Sequence, residues 1–458
     1  MIMRSLHHEV LRLAVPSILA NITVPLVGMV DIAIAGHISD ASAIGGIAIG
    51  AMLFDLLYWN FGFLRVGTGG MTAQAFGRQD FRGAREILVQ SVTIAVGAAL
   101  VIWALQWLFL RVAMALIPCS DEVAMFARRY FFIRVWAAPA TLSLMALKGW
   151  FIGMQDTVSA MASDITVNVV NMAASFALAV WTPLGALGVA WGTLIGQYAG
   201  LLVAAVLLVR KLNSPKTETP ELLNSPKTET PELLKNALRW SKLRRLFVLN
   251  GNLFIRSLCF MVVYVGFTSL TSRYGDGPLA VGSIMMKLFM LFSYFIDGFA
   301  YAAEALTGRF IGARDRLNLR HSIRILFLWT LAIGAAFTLL YALTGEGMVR
   351  LMTSDASVIA DSHPFLPWLV AMPLVSCLAF LWDGIFVGAT AARPLRNAMI
   401  AAAVGFVVAA VALQPLWGIQ AIYVAYFVHL AIRVIWLTAA WRHSAEGAFE
   451  NFGLTFNV

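Results

Sequence analysis

The carboxylate of Asp31 stands deep inside an apolar run, residues 11–37, that is long enough to cross a bilayer, since a spanning helix needs about 20 such residues. An ionisable group is costly at that depth and marks a functional site by default. Asp31 is therefore suited to gain and lose a proton inside a membrane. Pro16 and Pro25 share its helix. Each removes a backbone donor and crowds the carbonyl four residues earlier, so each is a place to bend. Asn168, Asn171 and Ser175 recur at spacings of three and four and share one helix face. Thr193, in the next apolar segment, can join them. Two readings stay open for this group: oxygen ligands for a cation held with Asp31, or polar residues that glue helices together. Lys148 either snorkels to the interface or pairs with Asp31.

The second half carries its own ionisable set, Arg256, Lys287, Asp297, Glu304 and Asp383. Three carboxylates and two cations nearly neutralise one another. The set reads as a buried ion-pair network that fixes helix packing, or as a direct part of the coupling. Met29, Met52, Met145, Met172, Met286 and Met290, with Phe61, are candidates to line a substrate cleft, because flexible thioethers adapt to varied shapes. No catalytic pattern stands out. There is no GxxxxGK[ST] phosphate loop, no paired His/Glu metal spacing, and Cys119, Cys259 and Cys377 are isolated. Neither a cofactor nor a metal is expected, and the chain does not read as an enzyme.

These groups are positioned by an unusually apolar chain. Of 458 residues, 60% are hydrophobic and 12% charged, against about 25% charged in a soluble domain. No alternating barrel pattern appears, so the expectation is an all-α integral membrane protein. The first apolar segment is a full span rather than a cleavable signal. Twelve such segments are expected, at 11–36, 43–67, 87–110, 123–150, 158–181, 185–209, 246–270, 278–304, 322–343, 358–387, 396–414 and 419–440. With the N-terminus on side one, 23 Lys and Arg fall on that side and 5 on the other. This bias puts both termini in the cytoplasm. It also accounts for the net charge of +9 without nucleic acid as a partner.

Residues 213–223 (NSPKTETPELL) recur unchanged at 224–234. Their composition marks 213–235 as a solvated cytoplasmic linker. It separates an expected N-terminal lobe, 1–212, from a C-terminal lobe, 236–445, with a tail at 446–458. The halves match in one register. GWFIG at 149–153 pairs with GIFVG at 384–388, and AQAFGRQD at 73–80 with GRFIGARD at 308–315, both offset by 235. Ala186, Val189 and Ala190 pair with Ala421, Val424 and Ala425 at the same offset. Two copies of a six-helix unit are implied, with substrate bound between repeats near the midplane.

Residues 24–37 (VPLVGMVDIAIAGH), 72–77 (TAQAFG), 297–304 (DGFAYAAE) and 383–390 (DGIFVGAT) together resemble the multidrug and toxic compound extrusion (MATE) family, most closely its DNA-damage-inducible (DinF) branch. The resemblance implies two six-helix bundles around a central cleft that exchange drug for H⁺ or Na⁺ by rocking. It implies a cation site at Asp31, a bend at Pro16, and polar partners at Asn171, Ser175 and Thr193. Ser175 departs from the pattern, since many relatives carry an aspartate there, and so does Lys148. The expectation is a monomeric proton-coupled exporter of amphipathic and cationic organic compounds in a bacterial cytoplasmic membrane. A Na⁺-coupled exporter and a lipid flippase are the alternatives.

Overall fold

A computed structural model describes residues 2–38, 41–117, 119–213, 237, 239–353 and 355–446. Most of the expected linker and tail thus lie outside the described residues. Within them every regular element is helical. The first half holds α1 (Ile2–Ile38), α2 (Ala41–Trp59), α3 (Phe63–Gly77), α4 (Phe81–Leu116), α5 (Asp121–Arg134), α6 (Ala138–Gly153), α7 (Thr157–Trp181) and α8 (Leu187–Leu212). The second holds α9 (Trp240–Ser272), α10 (Asp276–Gly312), α11 (Arg316–Met352), α12 (Ala356–Ser362), α13 (Leu366–Gly388), α14 (Ala392–Trp417) and α15 (Gln420–Glu446). They make 12 stretches long and apolar enough to cross a membrane, one for each expected segment. α1 runs as one helix through both Pro16 and Pro25.

Two spans are broken by a 3-10 turn. Val135–Ala137 separates α5 from α6, and His363–Phe365 separates α12 from α13. Pro139, Pro364 and Pro367 remove donors just where each helix would continue. In a hydrocarbon layer the freed carbonyls need partners inside the protein. The Trp103 indole donates to the Val135 carbonyl at 3.0 Å. The Tyr198 hydroxyl donates to that of Trp136 at 3.0 Å.

The internal repeat is written into the backbone. Four residues with side chains adopt positive φ: Gln79 (59°), Gln155 (59°), Arg314 (57°) and Thr390 (54°). They fall at the register of the sequence repeat, 314 − 79 = 235 and 390 − 155 = 235. Each ends a helix in the left-handed region, which satisfies the last carbonyls. After three of these turns an aspartate caps the next helix, Asp156 accepting from the Ser159 amide at 3.1 Å in one of them. Asp80 accepts from the Gly83 amide at 2.8 Å and Asp315 from that of Asn318 at 3.0 Å. The Asn318 amide holds the Asp315 carboxyl below the usual carboxylate range.

Glycines set the closest approaches. A methyl group on Gly149 would fall 2.2 Å from the Arg65 carbonyl oxygen, and one on Gly384 2.2 Å from that of Ala300. On α8, Gly188, Gly192, Gly196 and Gly200 form a stripe at four-residue spacing, and each would drive a Cβ into α7. Small residues at this spacing let spanning helices touch backbone to backbone.

The chain forms two compact units, Leu19–Val248 and Met1–Ile18 with Leu249–Val458. The boundaries differ from the lobes expected from the linker, because the ends of α1 and α9 change hands. Within the second unit, Trp329 donates its indole N–H to His7 Nδ1 at 3.0 Å and Arg309 bonds Glu9 at 3.3 Å. Gly298 leaves no room for a side chain beside Ala14 and Ile18. Within the first unit, Gln90 donates to the Ala237 carbonyl at 2.9 Å.

The glycine contacts generate a paired expectation for thermal unfolding of the purified protein in detergent. Gly149→Ala and Gly384→Ala should each cost about 1–3 kcal/mol, because only backbone can give way. Gly97→Ala, at a helical glycine with open space around it, should be neutral or stabilising by up to about 1 kcal/mol. Unchanged melting of both clashing variants would contradict this packing.

Candidate functional site

Asp31 is held where α1 meets the apolar interior of the first unit. Val30 and Ile34 of α1 pack in one cluster with Phe54 of α2 and Tyr130 and Phe131 of α5. The side chain between them is half-buried, and its Oδ1 is buried with no hydrogen-bond partner. The charge that faces it belongs to Arg134. Arg134 is the last residue of α5, just before the break, and a helix C-terminus favours a cation. Its guanidinium lies 4.9 Å from the Phe54 ring centroid and 5.8 Å from that of Tyr130. It donates to the Tyr130 hydroxyl at 3.2 Å. Asp55 and Tyr58 of α2 also face it. Gly50 admits Tyr130 to this position, since a methyl group there would sit 2.4 Å from the Tyr130 ring.

Arg134 and Asp55 were not among the candidates expected from the sequence. Their signal was available: both are ionisable groups inside expected spans, the feature that singled out Asp31. What sequence could not give was the rotation of each helix about its axis.

Lys148 is corrected on the same ground. It pairs with Asp164 of α7 at 2.5 Å, across the turn that joins α6 to α7, and not with Asp31. The polar group on α7 and α8 does assemble, but around itself. Ser175 donates to Asn171 Oδ1 at 2.9 Å, Asn171 donates to Thr193 at 3.4 Å, and Thr193 donates to the Val189 carbonyl at 3.0 Å. None of these bonds reaches Asp31. Asn168 donates instead to Thr23 of α1, which in turn donates to the Ala20 carbonyl at 2.6 Å.

In the second unit the expected set of five divides. Asp383 is gripped by Arg256 and by Arg433 at 2.7 Å. Arg433, from α15, joins this cluster although it was not in the expected set, and Lys287 is exposed on α10. Asp297 is half-buried and Glu304 buried on the same helix. His429 is fully buried beside this cluster. Of the cleft candidates, Met29 and Met52 are exposed, and Met172 and Met290 are half-buried. Phe61 and Met145 pack against the apolar cluster of the first unit. Met286 is 4% exposed and sits in the core. Among the described residues no three His, Cys, Asp or Glu side chains converge on a metal site.

Twelve spans in two copies of one six-span unit, with ionisable groups inside the spans, are the build of a secondary transporter. The MatE family model matches residues 16–177 and 253–416. The chain belongs to this family of membrane transporters. It is 35% identical to DNA damage-inducible protein F of Escherichia coli, over 94% of this chain and 91% of that one. It is 25% identical to a probable multidrug resistance protein NorM of Caulobacter vibrioides, over 85% and 78%. A crystal structure of MATE in the bent conformation is similar with a TM-score of 0.82 at 18% identity, covering 99% of each chain. One in the straight conformation scores 0.79, covering 98% of this chain and 97% of that one.

The Lys148–Asp164 contact predicts a double-mutant result. Lys148→Gln leaves Asp164 without this cation and should lower stability by about 1 kcal/mol at this half-exposed pair. Adding Asp164→Asn should recover most of the loss. The ion dependence of transport in vesicles should stay unchanged in both variants. A change in coupling ion on Lys148→Gln would return Lys148 to the Asp31 site.

Proposed function

We propose that this chain exports small organic compounds, amphipathic and cationic ones among them, in exchange for protons by alternating access. Asp31 carries the proton, and α1 bends near Pro16 when the carboxylate is neutralised. One observation carries this reading: a carboxylate inside a span, with one oxygen buried and unbonded, on a thinly packed helix half. Met29 is 67% exposed, Val24 and Leu26 are exposed too, and nothing lies within 4 Å of a Cβ on Gly28. Each proline has already removed one ladder bond. Such a segment changes shape at small cost. For a neutral compound the entering proton's charge gains about 2.3 kcal/mol per 100 mV; for a monovalent cation exchanged one for one with a proton the charges cancel and the pH gradient drives export. The membrane is the bacterial cytoplasmic one, both termini are cytoplasmic, and the working unit is a monomer.

The preference for the proton over sodium is supported by where the neighbouring oxygens lie: the bonds of Asn171, Ser175 and Thr193 run among themselves and to the Val189 carbonyl, and none joins them to Asp31. Drug-induced pH change in everted vesicles, with and without sodium, tests the reading. Wild-type protein should release protons on drug uptake irrespective of sodium. Asp31→Asn should lose about tenfold or more of that response, as removal of an essential charge at a buried site does. Wild-type export by Asp31→Asn under a proton gradient would end the scheme.

A further inference from the structure

The start of α1 is joined to the second unit by a bond that acid can break. Trp329 of α11 donates its indole N–H to His7 Nδ1 at 3.0 Å, and the two rings meet edge to face with centroids 6.2 Å apart. An indole can only donate, so the imidazole must accept. A ring that accepts at Nδ1 is neutral and carries its hydrogen on Nε2. The imidazolium is a donor at both nitrogens and cannot accept. Histidine is the side chain that changes charge between about pH 5 and 8. A proton arriving on Nδ1 sets two donors face to face. The other charged groups described at this end of α1 are His8 and Arg12, both exposed, and Glu9, which is bonded by Arg309 of α10 at 3.3 Å. α10 also carries Glu304, which is buried. On α11, residues 325–333 (ILFLWTLAI) hold no titratable side chain, Arg324 is exposed and His321 is half-buried. Neither the Glu9–Arg309 pair nor the flush contact at Gly298 depends on the proton at His7.

Pro16 follows His7 by nine residues on the same helix. A hinge turns one arm only against an arm that is held, and the His7–Trp329 bond helps to hold the first arm of α1. We propose that His7 is a positioning residue through which acid on the cytoplasmic side slows export. The neutral ring keeps the start of α1 on the second unit. The protonated ring lets it go, and neutralising Asp31 then shifts that start instead of bending the helix at Pro16. Exchange for protons acidifies the cytoplasm, so the brake answers to the exporter's own work. The contacts at Glu9 and Gly298 remain, which limits the effect to about fivefold, the worth of one hydrogen bond. The inference rests on the proposed cycle, in which α1 bends and the termini are cytoplasmic.

Everted vesicles carrying the full-length protein turn the cytoplasmic face to the medium. Ethidium uptake is followed as the medium is taken from about pH 7.5 to about pH 6, across the range in which an imidazole titrates. The lumen is acidified in step, so the gradient stays constant. His7→Gln keeps an acceptor for the indole that takes up no proton. Wild type should slow about fivefold more than His7→Gln over this range. Asp31 is present in both, so the difference between them reports His7. Equal slowing overturns the proposal. Trp329→Phe lacks the donor and should be slow at both ends of the range. Melting of the purified protein in detergent reads the bond without transport. The margin of wild type over Trp329→Phe should shrink between about pH 7.5 and about pH 6. A margin that stays constant overturns the proposal, even should His7→Gln fail to fold. Asp31→Asn separates the two ideas. If it exports like wild type, proton exchange at Asp31 is wrong, while the melting margin still reads the His7 bond. If it is inactive while wild type and His7→Gln slow alike, the Asp31 scheme stands and the role of His7 falls.

Discussion

Inside a hydrocarbon layer no water is present to satisfy a charge or a freed backbone group, and each one left alone costs several kcal/mol. That cost explains most polar contacts in this protein. Asp383 has two arginines. Lys148 has Asp164. The carbonyls exposed where the fourth span breaks have the Trp103 indole and the Tyr198 hydroxyl. Asn171, Ser175 and Thr193 close a chain of hydrogen bonds on themselves. In each of these sets the groups named have partners within the protein. Asp31 Oδ1 is buried with no hydrogen-bond partner, as are Arg433 Nη1 and both ring nitrogens of His429 in the second unit.

Close helix contact is what lets these sets form. Gly192 and Gly196 bring α8 against α7 so tightly that a Cβ on Gly192 would overlap Ser175. Gly50 does the same for Tyr130, and so for the guanidinium that rests on its ring. Because Gly149 and Gly384 seat their helices at matching points of the two copies, the same architecture arises twice. Its contents diverge. At the offset of 235, Lys148 corresponds to Asp383. Opposite charges at one architectural position found opposite partners, an aspartate for the lysine and arginines for the aspartate.

The sequence made the spans, the repeat and Asp31 legible for definite reasons. Length and hydropathy decide a span, a fixed offset reveals duplication, and a charge in an apolar run is conspicuous. The family resemblance added expected roles for Pro16 and Asp31, and the matches to the MatE model and to a bacterial relative bear out the family itself. Partnerships were not legible. Whether Lys148 meets Asp31 or Asp164 depends on how α6 and α7 rotate about their axes after the turn at Gln155. That Arg433 meets Asp383 while Lys287 is exposed was hidden for the same kind of reason, since it depends on how α10 and α15 are rotated about their axes. The ends of the compact units were hidden because a linker marks where a chain is free, and the side chains of His7 and Glu9 decide where its start packs.

This arrangement explains why α1 is the element suited to move. Its first 18 residues belong with the second unit, held by Trp329, Arg309 and the flush surface at Gly298. Its remainder belongs with the first unit, where its polar contacts include the Thr23–Asn168 bond. Pro16 lies two residues before the change of unit. A helix anchored firmly at one end, lightly at the other, and missing a ladder bond near the junction bends there at the least cost. In the proposed cycle, neutralising Asp31 would remove its charge from the half of α1 on which Val24, Leu26 and Met29 are exposed.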